Sequence, residues 1–375
     1  MRVSSVFDSG NIVVKSAKTP GDIRLEIRKD NGSDFYQWFH FRLTGARGQD
    51  CVMTIENAAG AAYPDGWRDY RAVASTDRET WVRVPTDYVD GKLVIRHTPD
   101  ADAVWYAYFA PYSMERHADL LARCQASPRA RLDVIGETLD GRTLDRLVIG
   151  EPGEGKAVIW VTARQHPGET MAEWAAEGLL ERLLDPADGV ARALLDRAVF
   201  HVVPNMNPDG SARGHLRTNA KGVNLNREWN KASPENSPEV HAVLERMAET
   251  GVDLFLDMHG DEALPHNFIA GGEGAPSFTD EQGALLEAYK DALAAITPDF
   301  QTAKGYPVDA PGAADLSIAT NYMAETFGGL AMTLEMSFKD CVEAPDPVHG
   351  WSPAHARKLG AANLDAMRAV MDRLR

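Results

Sequence analysis

Cysteine, positive charge and long apolar segments are all scarce in this sequence. The chain contains three cysteines, Cys51, Cys124 and Cys341, which are widely spaced and odd in number. Such a set suits a reducing compartment better than a disulfide scaffold. The 39 basic residues are outnumbered by 55 acidic ones, which gives a formal net charge of −16. Because neutralising phosphates requires a basic surface, the composition argues against nucleic acid as a partner.

Segments that could enter a membrane are also missing. The stretch from Met1 to Asn11 has no apolar core of the kind that a secretory signal needs. No run approaches the roughly 18 apolar residues of a membrane-spanning helix. We therefore expect a cytoplasmic protein without membrane contact. The 375 residues, of which 44% are hydrophobic and 25% charged, are sufficient for two globular domains.

Short alternating segments dominate the beginning of the chain. Cys51-Val-Met-Thr-Ile55 places its apolar side chains on one face, and turn signals such as Asp30-Asn-Gly32 separate segments of this kind. This pattern predicts an all-β antiparallel sandwich. Since residues 113–126 favour a helix, we place an amino-terminal β-sandwich domain at 1–112 and a second domain at 113–375.

The second part of the chain alternates between apolar runs of strand length and helical spacing. Strands are predicted at Ala157–Ala163, Ala198–Val203, Val252–Met258 and Leu330–Glu335, and helices near 170–184, 237–249 and 281–295. This order predicts an α/β domain with a mixed, mostly parallel sheet that helices flank on both faces.

Two histidines and a glutamate lie at the ends of predicted strands and at the start of a predicted helix. His166 and Glu169 lie between a strand and a helix, and His259 follows another strand. Imidazole nitrogen and carboxylate oxygen are both zinc ligands, and strand ends converge at one edge of such a sheet. Taken alone, His-x-x-Glu occurs by chance in many proteins, and a solvated loop pair is its ordinary interpretation.

A long polar loop follows the strand that ends at Val203, and loops of this kind are often functional. Its candidates for binding an anion are Arg213, Arg217, Asn226 and Arg227. Arginine can hold a carboxylate with two parallel hydrogen bonds, and a second arginine near a metal can stabilise an oxyanion. The alternative is that these arginines make weak surface salt bridges.

A carboxylate also interrupts the last apolar strand. Glu335 ends the run Thr333-Leu-Glu335, where burial of a charge is costly unless a metal or cation compensates it. Its position fits a general base that acts on a water molecule activated by zinc.

Together these residues resemble the motifs of the zinc metallocarboxypeptidase family. The motifs occur in the family order over about residues 157–337: His166-Pro-Gly-Glu169, Asn207-Pro-Asp-Gly210, Arg217, Asn226-Arg227, Asp257-Met-His-Gly260 and Thr333-Leu-Glu335. The β-rich domain ahead of them, which ends in a segment like Phe109-Ala-Pro-Tyr-Ser-Met-Glu-Arg116, is similar to that of the cytosolic carboxypeptidase subfamily in its bacterial form.

The resemblance implies a metal centre and a base. One Zn²⁺ per chain would be held by His166, Glu169 and His259, and Glu335 would be the general base. The family usually has aspartate at a position that is Asn224 here. An amide can orient a metal-binding imidazole but adds less basicity than a carboxylate, so we expect a lower metal affinity.

The resemblance also implies a peptide or protein substrate with a free carboxyl terminus. Arg217 would stabilise the oxyanion, and Asn226 with Arg227 would hold the terminal carboxylate. A tyrosine of a mobile loop also serves the substrate in this family. Tyr306 is our choice for it, and Tyr322 is the rival.

The residue that is released stays open at this point, as does the oligomeric state. Members of the subfamily often remove acidic residues such as glutamate, which would need a basic pocket. Candidates that could supply one are Arg164, Arg213, Lys304 and Lys339, although each is also consistent with an ordinary surface charge. The alternative functions are a zinc-dependent deacylase of N-acyl amino acids, a hydrolase of cell-wall peptides and a non-catalytic peptide-binding module.

Overall fold

Two five-stranded sheets form the amino-terminal part of the structure, a computed structural model that describes residues 1–374. Their strands are β1 (Arg2–Ser4), β2 (Val13–Thr19), β3 (Asp22–Glu26), β4 (His40–Thr44), β5 (Cys51–Ile55), β6 (Val73–Ser75), β7 (Val82–Arg83), β8 (Thr86–Val89), β9 (Lys92–His97) and β10 (Ala103–Ala107). The orders are β1-β4-β10-β6-β7 and β2-β3-β5-β9-β8. All neighbours are antiparallel except β3 and β5, which run parallel.

The apolar faces of these two sheets share one core. In β5, Met53 and Ile55 are fully buried while Val52 and Thr54 between them are partly exposed, as period-two spacing predicts. Phe41 of β4 and Tyr106 of β10 stack in the same core, with ring centroids 5.3 Å apart. The predicted sandwich is therefore confirmed.

The rest of the chain forms a mixed sheet that helices cover. The elements are α1 (Met114–Gln125), β11 (Ala130–Glu137), β12 (Thr143–Ile149), β13 (Ala157–Ala163), α2 (Thr170–Leu184), α3 (Gly189–Leu195), β14 (Ala198–Val203), α4 (Pro208–Arg213), α5 (Pro238–Thr250), β15 (Leu254–Asp261), β16 (Phe268–Gly271), α6 (Asp280–Ile296), α7 (Ala319–Phe327), β17 (Leu330–Ser337) and α8 (Pro353–Val370). The predicted boundary at residue 112 falls between β10 and α1.

The seven-stranded sheet has the order β11-β12-β14-β13-β15-β17-β16. Its four central strands, β14, β13, β15 and β17, run parallel to one another. The outer pairs are antiparallel. The predicted mixed, mostly parallel α/β sheet is confirmed, and the carboxyl ends of β13, β15 and β17 lie side by side at one edge.

Helix α2 is held in place by a close crossing with α8. A Cβ atom on Gly178 would lie 2.0 Å from the carbonyl oxygen of Arg357, and one on Gly360 would lie 1.9 Å from that of Ala175. Only glycine permits the two backbones to approach so closely. The crossing fixes the helix that directly follows Glu169.

The structure also shows the state of the cysteines and the character of the helices. All three cysteines are buried and unpaired. Among residues 1–374, none of the helices combines the length and the apolar character that crossing a bilayer demands.

Candidate metal centre and substrate cavity

Three buried side chains meet at the edge where β13 and β15 end. The ligand atoms of His166, Glu169 and His259 all lie within 4.8 Å of one another. Nδ1 of His166 is 2.7 Å from Oε1 of Glu169, and Nδ1 of His259 is 2.8 Å from Oε2 of the same carboxylate. Two nitrogens and a carboxylate that converge in this way form a donor set suited to zinc.

The electrostatics around His259 and Glu169 favour a cation, whereas burial and the neighbouring Arg217 lower the pKa of His166 to about 4. Burial opposes charge on His259, but the carboxylates of Asp257 and Glu169 outweigh it and raise its pKa well above the usual value. Burial also opposes charge on Glu169, yet His166 and His259 lower its pKa. Surroundings that stabilise positive charge on a buried imidazole would stabilise a metal ion in the same place, so the residues fit the metal.

The outer nitrogens of the two histidines have different partners. Nε2 of His166 lies 3.0 Å from Oδ1 of Asn224, and Nε2 of His259 lies 2.8 Å from Oδ2 of Asp257. Asp257 also accepts a hydrogen bond of 2.7 Å from Oγ1 of Thr162. Because an oxygen acceptor at Nε2 keeps the proton there, each Nδ1 presents its lone pair to the shared site.

Glu335 faces the same site from the neighbouring strand. In the register of β15 and β17 it is paired with His259. The side chain is 7% exposed, and its Oε2 atom is buried with no hydrogen-bond partner among the described residues. Burial, helped by Glu169 and Asp261 and opposed by His259, raises the pKa of Glu335 to about 8. Its position opposite His259 places the carboxyl group where it can exchange a proton with a molecule bound in the site.

The predicted site residues surround a single cavity of about 680 Å³. The lining includes His166, Glu169, Arg217, Asn226, Arg227, His259, Tyr306 and Glu335. The structure thus brings together residues that are far apart in the sequence, such as His166 and Glu335, which are 169 positions apart. The roles assigned to them stay predictions.

The asparagine and arginine pair presents donors to this cavity, although Nη1 of Arg227 already donates a hydrogen bond of 2.6 Å to the Asn226 carbonyl. Oδ1 of Asn226 accepts a hydrogen bond of 2.8 Å from the Ala319 backbone, which turns its NH₂ group away from that contact. The Arg227 side chain is 42% exposed, and its Nε atom is 4.0 Å from Asp315. Burial and the neighbouring Arg217 lower the pKa of Arg227. An anion that bridges these donors would be favoured.

The two tyrosines that compete for the substrate role lie in different surroundings. Tyr306 lines the cavity, donates a hydrogen bond of 2.7 Å to Oδ2 of Asp261, and packs edge-on against Phe268. Burial, Glu335 and Asp261 raise its pKa. Tyr322 instead packs against the apolar cluster under β15. The geometry favours Tyr306.

Three of the four residues that we expected to form a basic pocket do not line the cavity. Arg164 is buried against Glu173, Arg213 pairs with Asp140, and Lys339 donates to the Ala263 carbonyl. Their charges satisfy internal carboxylates and carbonyls, so none is available in the cavity. Only Lys304 lines it.

Sequence reasoning missed several polar groups around the cavity. Lys290, Glu262 and Tyr63 also line it, and Asp257, which the motif Asp257-Met-His-Gly260 already includes without a stated role, contacts the outer nitrogen of His259. The role of Asp257 could have been predicted from the sequence, since a carboxylate inside an apolar strand needs a polar or charged partner to offset the cost of its burial. That of Tyr63 could not, because this residue reaches the cavity from the amino-terminal sandwich.

Comparison with known proteins matches the chain to two family models. A model described as the cytosolic carboxypeptidase N-terminal domain matches residues 3–109, and one described as zinc carboxypeptidase matches residues 117–342. A metallo-carboxypeptidase from Burkholderia cenocepacia is similar in structure, with a TM-score of 0.97 and 50% identity over 100% of both chains.

Two further relatives extend the comparison. A metallo-carboxypeptidase from Pseudomonas aeruginosa, solved in complex with (2-guanidinoethylmercapto)succinic acid, has a TM-score of 0.98 and 45% identity over 100% of both chains. Cytosolic carboxypeptidase 6 of Mus musculus is 28% identical over 74% of this chain and 55% of its own length. The chain therefore spans about half of that mouse protein.

Proposed function

This chain belongs to the zinc carboxypeptidase family and is a metallopeptidase, and we propose that it removes single residues from the free carboxyl ends of peptides with Glu335 as general base. The observation that supports this most directly is the shared cavity. It joins a zinc-type donor set to Glu335 and to a pair of donors, on Asn226 and Arg227, that fits a carboxylate.

Substrate binding in this proposal begins at the terminal carboxylate. The guanidinium of Arg227 and the NH₂ group of Asn226 hold its two oxygens, which places the last peptide bond near His166, Glu169 and His259. A peptide without a terminal carboxylate lacks this anchor. The succinic acid group of the ligand in the Pseudomonas aeruginosa relative carries such carboxylates.

The chemical step needs a base, a donor of protons and a group that stabilises negative charge. When bound by His166, Glu169 and His259, zinc supplies a Lewis acid and lowers the pKa of a water molecule. Oε2 of Glu335 takes the proton of the attacking water and passes it to the leaving amine. The guanidinium of Arg217 stabilises the oxygen that becomes negative on the scissile carbonyl.

The residue released is a finer part of the proposal. Lys304 on the cavity wall supports a carboxyl-terminal glutamate as one substrate residue, although Asp261, Glu262 and Glu273 bring negative charge to the same cavity. Relatives that are named cytosolic carboxypeptidases support a cytoplasmic location.

The test uses the zinc-loaded protein and a pool of peptides, each with a free and with an amidated carboxyl terminus. The pool includes termini of glutamate, alanine and arginine, and mass spectrometry follows the products. We expect stepwise loss of single residues from the free acids only. Equal cleavage of the amidated peptides would contradict the carboxylate anchor, and cleavage of acyl-amino acids alone would point to a deacylase.

A further inference from the structure

The backbone that carries Arg217 is held by a carboxylate from the other domain. Oδ1 of Asp30 accepts a hydrogen bond of 2.7 Å from the Leu216 amide, and Oδ2 accepts one of 2.9 Å from the Arg217 amide. Oδ2 also accepts from the amide and the hydroxyl of Thr218, at 3.0 and 3.1 Å. Asp30 is 2% exposed. Four donors on one buried carboxylate fix three consecutive residues.

The same domain also contacts the guanidinium group of this arginine. The Arg217 Cζ atom lies 5.6 Å from the ring centroid of Phe35 and 5.4 Å from that of Tyr63. Both distances are within the range of cation–π attraction. The amide of Asp30 donates to the carbonyl of Phe35 at 2.8 Å, so one short loop supplies both the carboxylate and a ring.

The Arg217 charge itself stays available. Within residues 1–374, no carboxylate forms an ion pair with its guanidinium, and no hydrogen bond from the guanidinium to the protein is found. A carboxylate partner would orient this arginine but would also neutralise it. Asp30 acts on the backbone and the two rings act on the side chain, so the group is oriented while its full charge faces the cavity.

The loop that carries Asp30 is locked on its other side as well. Oδ1 of Asn31 lies 2.8 Å from Nε2 of His215. A Cβ atom on Gly222, where φ is +87°, would lie 2.5 Å from the Gly32 carbonyl oxygen. The two backbones are therefore in direct contact, which links the position of this loop to that of the segment around Arg217.

We propose that Asp30 is a positioning residue for Arg217, assisted by Phe35 and Tyr63, so that the amino-terminal domain completes the catalytic site. This inference rests on the proposed role of Arg217. Loss of one group that stabilises an oxyanion lowers kcat by about 10² to 10³, and a displacement of about 1 Å can cost about 10². We expect Asp30→Ala to lower kcat by about tenfold or more and to change KM by less than about threefold, because the contact that it weakens is made in the transition state.

The experiment measures kcat and KM of the zinc-loaded, full-length protein on a peptide that the wild type cleaves. The variants are Asp30→Ala, Asp30→Asn, Arg217→Ala and the double variant of Asp30→Ala with Arg217→Ala. Asp34→Asn is the matched control, since Asp34 lies in the same loop, is exposed and forms an ion pair with Lys29. The zinc content and the thermal melting curve of each variant are measured, so that each rate is expressed per molecule of folded, metal-loaded protein.

The double variant separates positioning from a purely structural role. If Asp30 acts through Arg217, its removal costs little further activity once Arg217 is gone, so the two effects are not additive. A structural role would instead lower the rate by the same factor in both backgrounds. Phe35→Leu provides a second route if Asp30→Ala does not fold, and it is expected to lower kcat in the wild type but not in Arg217→Ala.

The outcomes distinguish this inference from the proposed function. Full activity of Asp30→Asn and Phe35→Leu, alongside an impaired Arg217→Ala, would overturn the inference alone. Additive losses in the double variant would do the same. Full activity of Arg217→Ala would overturn the role of Arg217 and the inference that rests on it, but not the exopeptidase. A wild type that cleaves no free-acid peptide would overturn the proposed function itself.

Discussion

The two histidines of the metal centre differ in the atom behind each ring. His259 meets the Asp257 carboxylate at its outer nitrogen, whereas His166 meets the amide of Asn224. A carboxylate in this position increases the basicity of the imidazole more than an amide does. We therefore expect His166 to be the weaker of the two proposed ligands, and the lower metal affinity expected from the sequence stays a prediction.

Replacing that amide should strengthen the site. In Asn224→Asp the new carboxylate can keep the hydrogen bond that Asn224 accepts from the Asn226 amide, and we expect the affinity for zinc to rise about tenfold. Competition with a chelator at fixed pH measures the change. The exposed control Asn236→Asp should leave the affinity unchanged, and a weaker affinity of Asn224→Asp would contradict the argument.

Glu335 offers a second test at the scale of one side chain. Glu335→Gln preserves the shape of the residue but removes the proton acceptor, so kcat should fall by about 10² to 10⁴ while zinc content stays constant. Activity assays and metal analysis of the same sample show both effects. The control Glu325→Gln changes a carboxylate on α7 whose contact is with Ser277. Normal turnover of Glu335→Gln would remove the proposed base.

At the scale of elements, the crossing of α2 and α8 fixes the helix that follows Glu169. Glu169 stands directly before α2, and Gly178 and Gly360 let that helix lie against α8. The metal centre therefore depends on packing at a distance from the cavity.

A methyl group at this crossing should separate the helices. Gly360→Ala would place a Cβ atom 1.9 Å from a backbone oxygen, and we expect a loss of unfolding free energy of roughly 1 to 3 kcal/mol or more. Gly283→Ala in α6 is the matched control, because its nearest neighbour would be 3.5 Å away. That variant should gain up to about 1 kcal/mol from helix propensity. Equal melting of both variants would show that the crossing can relax.

A buried ion pair joins α1 to α2 and should make stability depend on pH. Nδ1 of His117 lies 2.6 Å from Oε1 of Glu173. Burial opposes the imidazolium, but Glu173 and Asp145 raise the pKa of His117 to about 9 from 6.5. Because the folded state holds this proton more tightly, the stabilisation is complete below pH 6.5 and is lost as the pH rises through 9.

The corresponding measurement compares the unfolding free energy of the wild type and His117→Gln between pH 6 and about 10. The wild-type advantage that depends on pH should be on the order of 3 kcal/mol at the low end and should vanish at the high end. His241→Gln removes an exposed pair with Glu245 and should alter the curve little. If the difference in unfolding free energy between the wild type and His117→Gln increased with pH, the raised pKa of His117 would be contradicted.

Regular apolar spacing made much of this architecture predictable. The strands β13, β15 and β17 are long apolar runs, and parallel strand ends meet at one edge, so the convergence of His166, His259 and Glu335 follows from the sequence. The contact between Asp30 and Arg217 does not, because 187 residues separate them. Locally, Asp30-Asn-Gly32 has only the properties of a turn. No prediction covered helix α8, and its close crossing with α2 is visible only in three dimensions.

At the scale of the whole molecule, zinc should connect separate parts of the chain. Its proposed ligands come from the loop after β13, from the residue before α2 and from β15. A ligand that binds only the folded state stabilises it, by about 2.7 kcal/mol at a concentration one hundred times Kd. Thermal melting of the protein after chelation, with and without added zinc, should show this gain. His259→Ala should lose both the bound metal and the gain, and full zinc occupancy of that variant would show that the ligand set is wrong.

The support that Asp30 gives to Arg217 also bears on when the protein becomes active during its synthesis. Ribosomes add about 5 to 20 residues per second, and amino-terminal domains fold first. Roughly 300 residues separate Asp30 from Glu335, so on the order of 15 to 60 s pass between them. The sandwich is then ready as a template onto which the later arginine segment docks. If Glu335 is the general base, as we propose, we expect hydrolysis to start only after translation has delivered the strand that carries this residue.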